Sequence, residues 1–155
     1  MPRCNCGRGS AELPDHAMWC NSTKAERTTR HDLQAQPWRR AICKAGGHSA
    51  SEPHFGRFTT TARAAAAAGK RRGDIVCQLG SRIAVLDVVV THPAAPSYVD
   101  RAAKQTGSAA KIKEDKKRRL FTEYMGSGGG YEFVPLAVES FGRMGAAASR
   151  FLSDL

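Results

Sequence analysis

The chain lacks the features that would place it in a membrane or send it out of the cell. No apolar run approaches the roughly 18 residues that a membrane-spanning helix needs. The opening residues, MPRCNCGRGS, contain no apolar core of a signal peptide, so we expect no secretion. The sequence also contains no internal repeat. Its 155 residues, 41% hydrophobic and 25% charged, predict one soluble globular domain with a small appendage.

Acidic residues are scarce relative to basic ones. There are 14 Asp and Glu against 24 Lys and Arg, which gives a formal net charge of +10. This balance favours a polyanionic partner, with nucleic acid as the first candidate and a membrane surface as the second. A basic protein that is merely soluble is the alternative.

Five cysteines, an odd number, are present, and three of them lie within the first twenty residues. In a chain without an export signal, this clustering favours metal ligation over disulfides. Three thiolates and one imidazole would form a closed tetrahedral set for structural Zn²⁺: Cys4, Cys6, His16 and Cys20. The alternative is that these are free cysteines placed together by coincidence. Cys43 and Cys77 are interpreted as buried thiols.

Local patterns predict the order of elements along the chain. Residues 1–36 are predicted to form a small module held together by the zinc ion, and residues 37–155 to form the second domain. The predicted elements are a short helix at Trp38–Lys44, two strands joined at Gly80-Ser81, a helix at Ser108–Met125, a strand at Tyr131–Ser140 and a C-terminal helix. The alanine-rich segment Thr59–Gly73 is interpreted as a surface loop or short helix.

Asp87 interrupts the run Ile83–Val90, which otherwise has the composition of a buried strand. If Gly80 and Ser81 form a two-residue turn, Leu79 faces Arg82, Cys77 faces Ala84 and Asp74 faces Asp87 across the hairpin. Opposed side chains lie roughly 4.5–5.5 Å apart at Cβ, and two carboxylates at that distance repel each other unless they are compensated. Mg²⁺ or Mn²⁺ would compensate both. An ion pair between Asp87 and a nearby Arg or Lys is the alternative.

Further candidates flank the hairpin in sequence. Glu52 adds a third carboxylate, although a glutamate beside proline is usually a solvated loop residue. On the predicted helix Ser108–Met125, Lys113 and Lys116 fall on the apolar side and Lys117 at its margin. A solvated basic face is the alternative for these lysines. Two acids, a lysine and a divalent ion are the groups that phosphodiester hydrolysis needs.

Taken in order, the motifs resemble the C-terminal region of non-LTR retrotransposon polyproteins, which carry a restriction-enzyme-like endonuclease after the reverse transcriptase. The resemblance spans nearly the whole chain. Its motifs are Cys-x-Cys, His-x3-Cys, RHD, EP, RGDI, VLDVVVTHPAAPSY, KEDKKRRLF and FVPLAVESFGRMG. It implies an α/β fold of the PD-(D/E)XK restriction-endonuclease class, a mixed sheet flanked by helices, preceded by a CCHC zinc knuckle.

The resemblance also implies roles for particular residues. The implied catalytic residues are Glu52, Asp74, Asp87 and Lys117, with Mg²⁺ or Mn²⁺ held by Asp74 and Asp87. Glu114 stands three residues before the implied lysine, at the offset that the family shows. The basic residues of the RHD and RRGDI stretches are candidates for nucleic-acid contacts: Arg30, His31, Arg71 and Arg72.

We therefore expect a metal-dependent DNA endonuclease that nicks target DNA and exposes a 3′-hydroxyl. DNA is the expected partner and RNA a second one, with no membrane partner and no small-molecule substrate. The expected location is the nucleus if the element is eukaryotic, and the cytoplasm otherwise. The alternatives are a zinc-containing nucleic-acid-binding module without catalysis and an inactive transposon remnant.

Overall fold

The structure, a computed structural model, describes residues 4–7, 14–55, 71–125 and 131–155. In chain order the elements are α1 (Pro14–Trp19), α2 (Lys24–Lys44), β1 (His48–Ser51), β2 (Ile75–Leu79), β3 (Arg82–Thr91), α3 (Val99–Lys104), α4 (Ser108–Met125), β4 (Glu132–Glu139) and α5 (Ala146–Ser153). A short 3-10 turn, Asn21–Thr23, joins the first two helices. Within the described ranges, no helix is both long and apolar enough to cross a membrane.

The four strands form one mixed sheet in the order β1-β2-β3-β4. The first three strands pair antiparallel, and β4 pairs parallel with β3. A parallel neighbour requires a crossover, and the chain makes it through α3 and α4. The prediction of a mixed sheet flanked by helices is therefore confirmed.

The β2–β3 hairpin has the predicted register. Cys77 pairs with Ala84 and Leu79 with Arg82 across the turn at Gly80 and Ser81. Gly80 has a φ of 59°, a backbone conformation that glycine adopts at little cost at the first central position of a tight hairpin turn. The alternation of side chains along β3 thus follows from this turn.

Hydrophobic side chains fill both faces of the sheet. On one face, Leu86 and Val88 of β3 pack with Trp38 and Ile42 of α2 and with Phe151 of α5. On the other face, Val85 packs with Phe55, Phe133 and residues of α4. A strand that is buried on both faces of a sheet has a nearly continuous apolar sequence. This explains the valine-rich sequence of β3.

The structure corrects two expectations about the N-terminal half. The helix predicted at Trp38–Lys44 is the end of the 21-residue helix α2, which begins at Lys24. Pro37 lies inside α2, and an interior proline argues against a helix in the sequence because it lacks the N–H for one backbone bond. Cys43 is exposed rather than buried, whereas Cys77 is buried as predicted.

Two elements of residues 37–155 were not predicted. The edge strand β1 is built from His-Ser-Ala-Ser and is mostly exposed, so it carries no apolar alternation. The helix α3 has only six residues and no buried side chain. Residues 59–70 of the alanine-rich segment lie outside the described residues.

Candidate functional site

The side chains of Asp74 and Asp87 meet at the end of the β2–β3 hairpin. Asp87 is 7% exposed, and Asp74 is half-buried just before β2. The two carboxyl groups lie close enough for each to shift the pKa of the other. Two carboxylates this close repel each other unless a proton or a cation compensates them, so the pair is a candidate metal site.

The position of Asp74 follows from the unequal lengths of the strands. β3 continues beyond the point where β2 begins, so its later backbone groups lack a partner in β2. The backbone N–H of Val88 donates instead to Oδ2 of Asp74 at 2.5 Å, while the backbone N–H of Asp74 donates to the carbonyl of Leu86. The Asp74 carboxylate is thereby fixed against the edge of β3.

His31 of α2 reaches the same carboxylate from the opposite side. Its Nε2 lies 3.1 Å from Oδ2 of Asp74 and 3.0 Å from the carbonyl oxygen of Val88. Its Nδ1 lies 3.2 Å from Asp32. The hydrogen bond to Asp74 is the main cause that raises the pKa of His31 to about 9, so the imidazole is a cation at neutral pH.

The charge of His31 affects Asp74 in return. Burial raises the pKa of the Asp74 carboxyl, but the hydrogen bonds from His31, Asp87 and Val88, with the charge of His31, outweigh it and lower the pKa overall. Asp74 is therefore ionised across the physiological range. The sequence predicted that His31 contacts nucleic acid. In the structure, its side chain contacts Asp74.

Lys117 of α4 approaches Asp87 from the other face of the sheet. Its Nζ lies 2.7 Å from Oδ2 of Asp87. Burial raises the pKa of Asp87 to about 6, and Lys117 opposes this rise through its charge and hydrogen bond. Of the three candidate lysines, Lys117 is thus the one that contacts the acidic pair, while Lys116 is exposed.

A cleft of about 600 Å³ opens above the two carboxylates. Its walls carry positive charge from side chains of α2 and α4: Arg30, His31, Lys113 and Lys117. Arg30 is anchored by Met18, whose carbonyl oxygen accepts from its guanidinium at 3.2 Å. Lys113 lies over the ring of Tyr98, 5.6 Å from its centroid. The cleft therefore joins an acidic floor to basic walls.

Glu52 does not reach the acidic pair. Its carboxylate is exposed and forms an ion pair with Arg72 at 2.7 Å. Only its backbone contacts the pair, since the N–H of Glu52 donates to the carbonyl of Asp74 at 2.9 Å. Arg72 lines the cleft, and Arg71 and Arg72 line a second pocket of about 300 Å³ beside Asp87. Both arginines are exposed at the edge of the site.

The side chain of Glu114, three residues before Lys117, links two helices of the fold. Its Oε1 accepts from the backbone N–H of Ala147 at 3.0 Å, at the start of α5. Burial raises its pKa. The carboxyl supplies an acceptor for an N–H that has no partner within its own helix, so Glu114 ties α4 to α5.

The predicted zinc ligands come together at the N-terminus. The ligand atoms of Cys4, Cys6, His16 and Cys20 all lie within 4.8 Å of one another, and the cluster can hold a metal ion such as zinc. The backbone N–H of Cys6 is the main cause that lowers the pKa of the Cys4 thiol to about 6. A thiol that ionises readily suits a metal ligand.

The polar residues of the cleft that were not predicted include His92 and Ser140. His92 directly follows β3, and Ser140 follows β4; both line the same cleft as Asp87. A signal was present in the sequence, because His92 stands five residues after Asp87 at the end of the same strand. Strand ends that face one cleft are where functional side chains collect.

No protein-family model matches this chain, and no curated protein matches it significantly. Its function is therefore inferred from the geometry of the site and from the motifs in the sequence.

Proposed function

We propose that this chain is a metal-dependent DNA endonuclease that nicks one strand of its target. The observation that carries the proposal is the convergence of Asp74, Asp87 and Lys117 on the floor of a cleft with basic walls. The retrotransposon resemblance supports the same activity, since three of its four implied catalytic residues are these; the fourth, Glu52, is exposed and paired with Arg72. On that basis we also propose that the mixed sheet is a PD-(D/E)XK core and that the chain derives from a non-LTR retrotransposon.

The chemistry of the donors fits Mg²⁺ or Mn²⁺. Asp74 and Asp87 supply hard oxygen ligands, and each carboxyl group shifts the pKa of the other, so a nearby positive charge would relieve their repulsion. His31 and Val88 both bond to Oδ2 of Asp74 and fix its carboxylate, and Asp74 and Asp87 would together hold the cation. A divalent cation held there would make a water molecule more acidic and neutralise charge on the phosphate.

The protein's own groups would position this cation and stabilise the developing charge. His31 keeps Asp74 ionised and in place through its hydrogen bond to Oδ2. Lys117 faces Asp87 with a half-buried ammonium, which would move toward the negative charge that grows on the phosphate during hydrolysis. Both groups therefore act on the two carboxylates before and during the reaction.

The basic walls of the cleft would hold the DNA backbone. Arg30 and Lys113 line it together with Lys117, and the chain carries a net charge of +10. Binding of this kind releases counterions, so affinity should fall as salt is raised. The same walls would also serve a binding module without catalysis, which is the competing function.

Nicking of supercoiled plasmid in Mg²⁺ or Mn²⁺, comparing the wild type with Asp87→Asn, tests the proposal. Asparagine keeps the shape of the side chain but removes the charge that would bind the cation. We expect metal-dependent nicking by the wild type and a loss of about 10²-fold or more in the variant. Asp115→Asn is the matched control, because Asp115 is exposed and forms its ion pair with Lys111 on the outer side of α4, away from Asp87 in sequence and in its contacts.

Each outcome discriminates between the functions. If the wild type and Asp87→Asn nick equally, the acidic pair has no role in the mechanism. Salt-sensitive DNA binding by both proteins, with no nicking by either, would favour the binding module over the endonuclease. Circular dichroism of both proteins would show that the comparison is between folded chains.

A further inference from the structure

The end of the cleft beyond the acidic pair carries buried polar atoms that the proposed cleavage step does not use. Thr91 and His92 are each 4% exposed and line the cleft at the end of β3. Among the residues that the structure describes, the Oγ1 of Thr91 and the Nε2 of His92 have no hydrogen-bond partner. Buried polar groups are nearly always satisfied, so a ligand in the cleft is a natural partner for them.

The surroundings of His92 make its Nε2 a hydrogen-bond donor. Burial lowers the pKa of His92, so the ring is neutral at pH 7 and carries one N–H. The Asp15 carboxylate, 3.6 Å from Nε2, favours a proton on Nε2. Nδ1 then accepts from the hydroxyl of Ser140, whose Oγ lies 2.6 Å away.

An aromatic ring stands in solvent beside this donor. Phe141 is 71% exposed, and its ring meets the His92 ring edge-on with centroids 5.3 Å apart. A tight turn holds Phe141 in this position, with the N–H of Gly142 donating to Glu139 at 2.8 Å. Gly142 has a φ of 89°, which a side chain would strain. The exposed ring is therefore held by this turn against His92, which lines the cleft.

The position of this donor and ring suits one strand of a nucleic acid. His92 stands five residues after Asp87 on β3, roughly 16 Å along the strand. That distance corresponds to a few nucleotides. Arg30 lines the cleft as well and lies close enough to His92 to influence its charge. A cation, a donor and an aromatic face are the groups that bind unpaired bases and their backbone.

We propose that Phe141, His92 and Ser140 bind an unpaired base of the DNA strand whose scissile phosphate lies at Asp74 and Asp87. The base stacks on Phe141 and accepts a hydrogen bond from Nε2 of His92, and Arg30 faces the adjoining phosphate. This inference rests on the proposed endonuclease for its choice of DNA. It makes the preferred substrate a duplex that is opened near the cleavage point rather than a continuous one.

Fluorescence anisotropy with labelled oligonucleotides, and no added Mg²⁺ or Mn²⁺, tests this substrate preference. The probes are a DNA single strand, its duplex, the same duplex with a mismatched bubble, and an RNA strand of the same sequence. We expect Phe141→Ala to weaken binding to the single strand and the bubble about fivefold or more. Binding to the continuous duplex should stay within about twofold, because a paired base offers no free face.

Two further variants separate stacking from surface effects. Phe141→Trp should restore binding to the single strand, because indole also stacks on a base. Leu152→Ala is the matched control, since Leu152 is an exposed hydrophobic residue of α5 at 43% exposure. Equal weakening for all probes, no weakening at all, or a Phe141-dependent preference for RNA over DNA would each overturn the proposal.

The two proposals fail in different experiments. If the wild type never nicks plasmid but Phe141→Ala weakens single-strand binding, the proposed base site stands and the proposed endonuclease activity does not. If nicking depends on Asp87 but Phe141→Ala binds every probe as tightly as the wild type does, the proposed endonuclease activity stands and the proposed base site does not.

Discussion

The Nζ atom of Lys117 lies 2.7 Å from Oδ2 of Asp87, so a helix on one face of the sheet holds a carboxylate buried in a central strand. From the sequence, a metal site and an ion pair were alternative explanations for Asp87. The ion pair is present, and Asp74 with its lowered pKa meets the same carboxyl group. The two explanations are therefore compatible, because the ion pair engages Oδ2 of Asp87 and does not conflict with the proposed metal site.

The lysine that serves the site can be identified by replacing it with methionine, which keeps the packed stem and removes the charge. We expect Lys117→Met to reduce plasmid nicking by about 10-fold or more, since a charge that faces the phosphate contributes to transition-state stabilisation. It should also destabilise the fold by about 1–2 kcal/mol, because Asp87 is left buried without its cation while Lys117 is itself a third exposed. Urea unfolding measures the second effect.

Lys116→Met is the control for this comparison. Lys116 is exposed on the same helix, so its replacement removes the same charge from the chain without touching Asp87. If nicking falls equally in Lys117→Met and Lys116→Met, the loss is a general effect of net charge, and Lys117 has no specific role at the site.

His31 should make stability depend on pH above neutrality. Its pKa is raised to about 9 in the folded chain, mainly by the hydrogen bond to Asp74, against about 6.5 when unfolded. A raised pKa stabilises the fold fully below about pH 6.5, and this contribution is lost as the pH rises through about 9. We expect the wild type to lose about 1–2 kcal/mol across that window relative to His31→Gln, after discounting for solvent screening.

Urea unfolding at several pH values between these limits gives the difference between the two proteins. His48→Gln is the matched control, because His48 is exposed on β1 and should leave the slope unchanged. Parallel pH profiles for the wild type and His31→Gln would contradict the assigned ion pair.

The cysteine cluster should hold one zinc ion per chain. We expect Cys20→Ser to lose the bound zinc, because Cys20 is buried with its Sγ 3.5 Å from that of Cys4 and a closed tetrahedral site needs all four ligands. Cys43→Ser should retain it, since Cys43 is exposed on α2. Metal analysis after dialysis measures the content, and zinc retained equally by both variants would exclude this cluster as the binding site.

The sequence alone determined those features that depend on neighbouring residues. The turn at Gly80 and Ser81 and the alternation along β3 were sufficient to predict the pairing of Cys77 with Ala84. The spacing of the cysteines and His16 was sufficient to predict the cluster. In both cases the partners lie close along the chain, so local geometry leaves few arrangements open.

Only the tertiary structure decided which distant side chains reach the acidic pair. His31 and Asp74 are 43 residues apart, and they meet because α2 packs across the sheet through Trp38 and Ile42. The interior Pro37 concealed this long helix from the sequence, since the cost of its missing hydrogen bond is offset by tertiary packing that local propensity does not include. The choice of Lys117 over Lys116 likewise depends on how α4 rotates against β3, which its own periodicity did not determine.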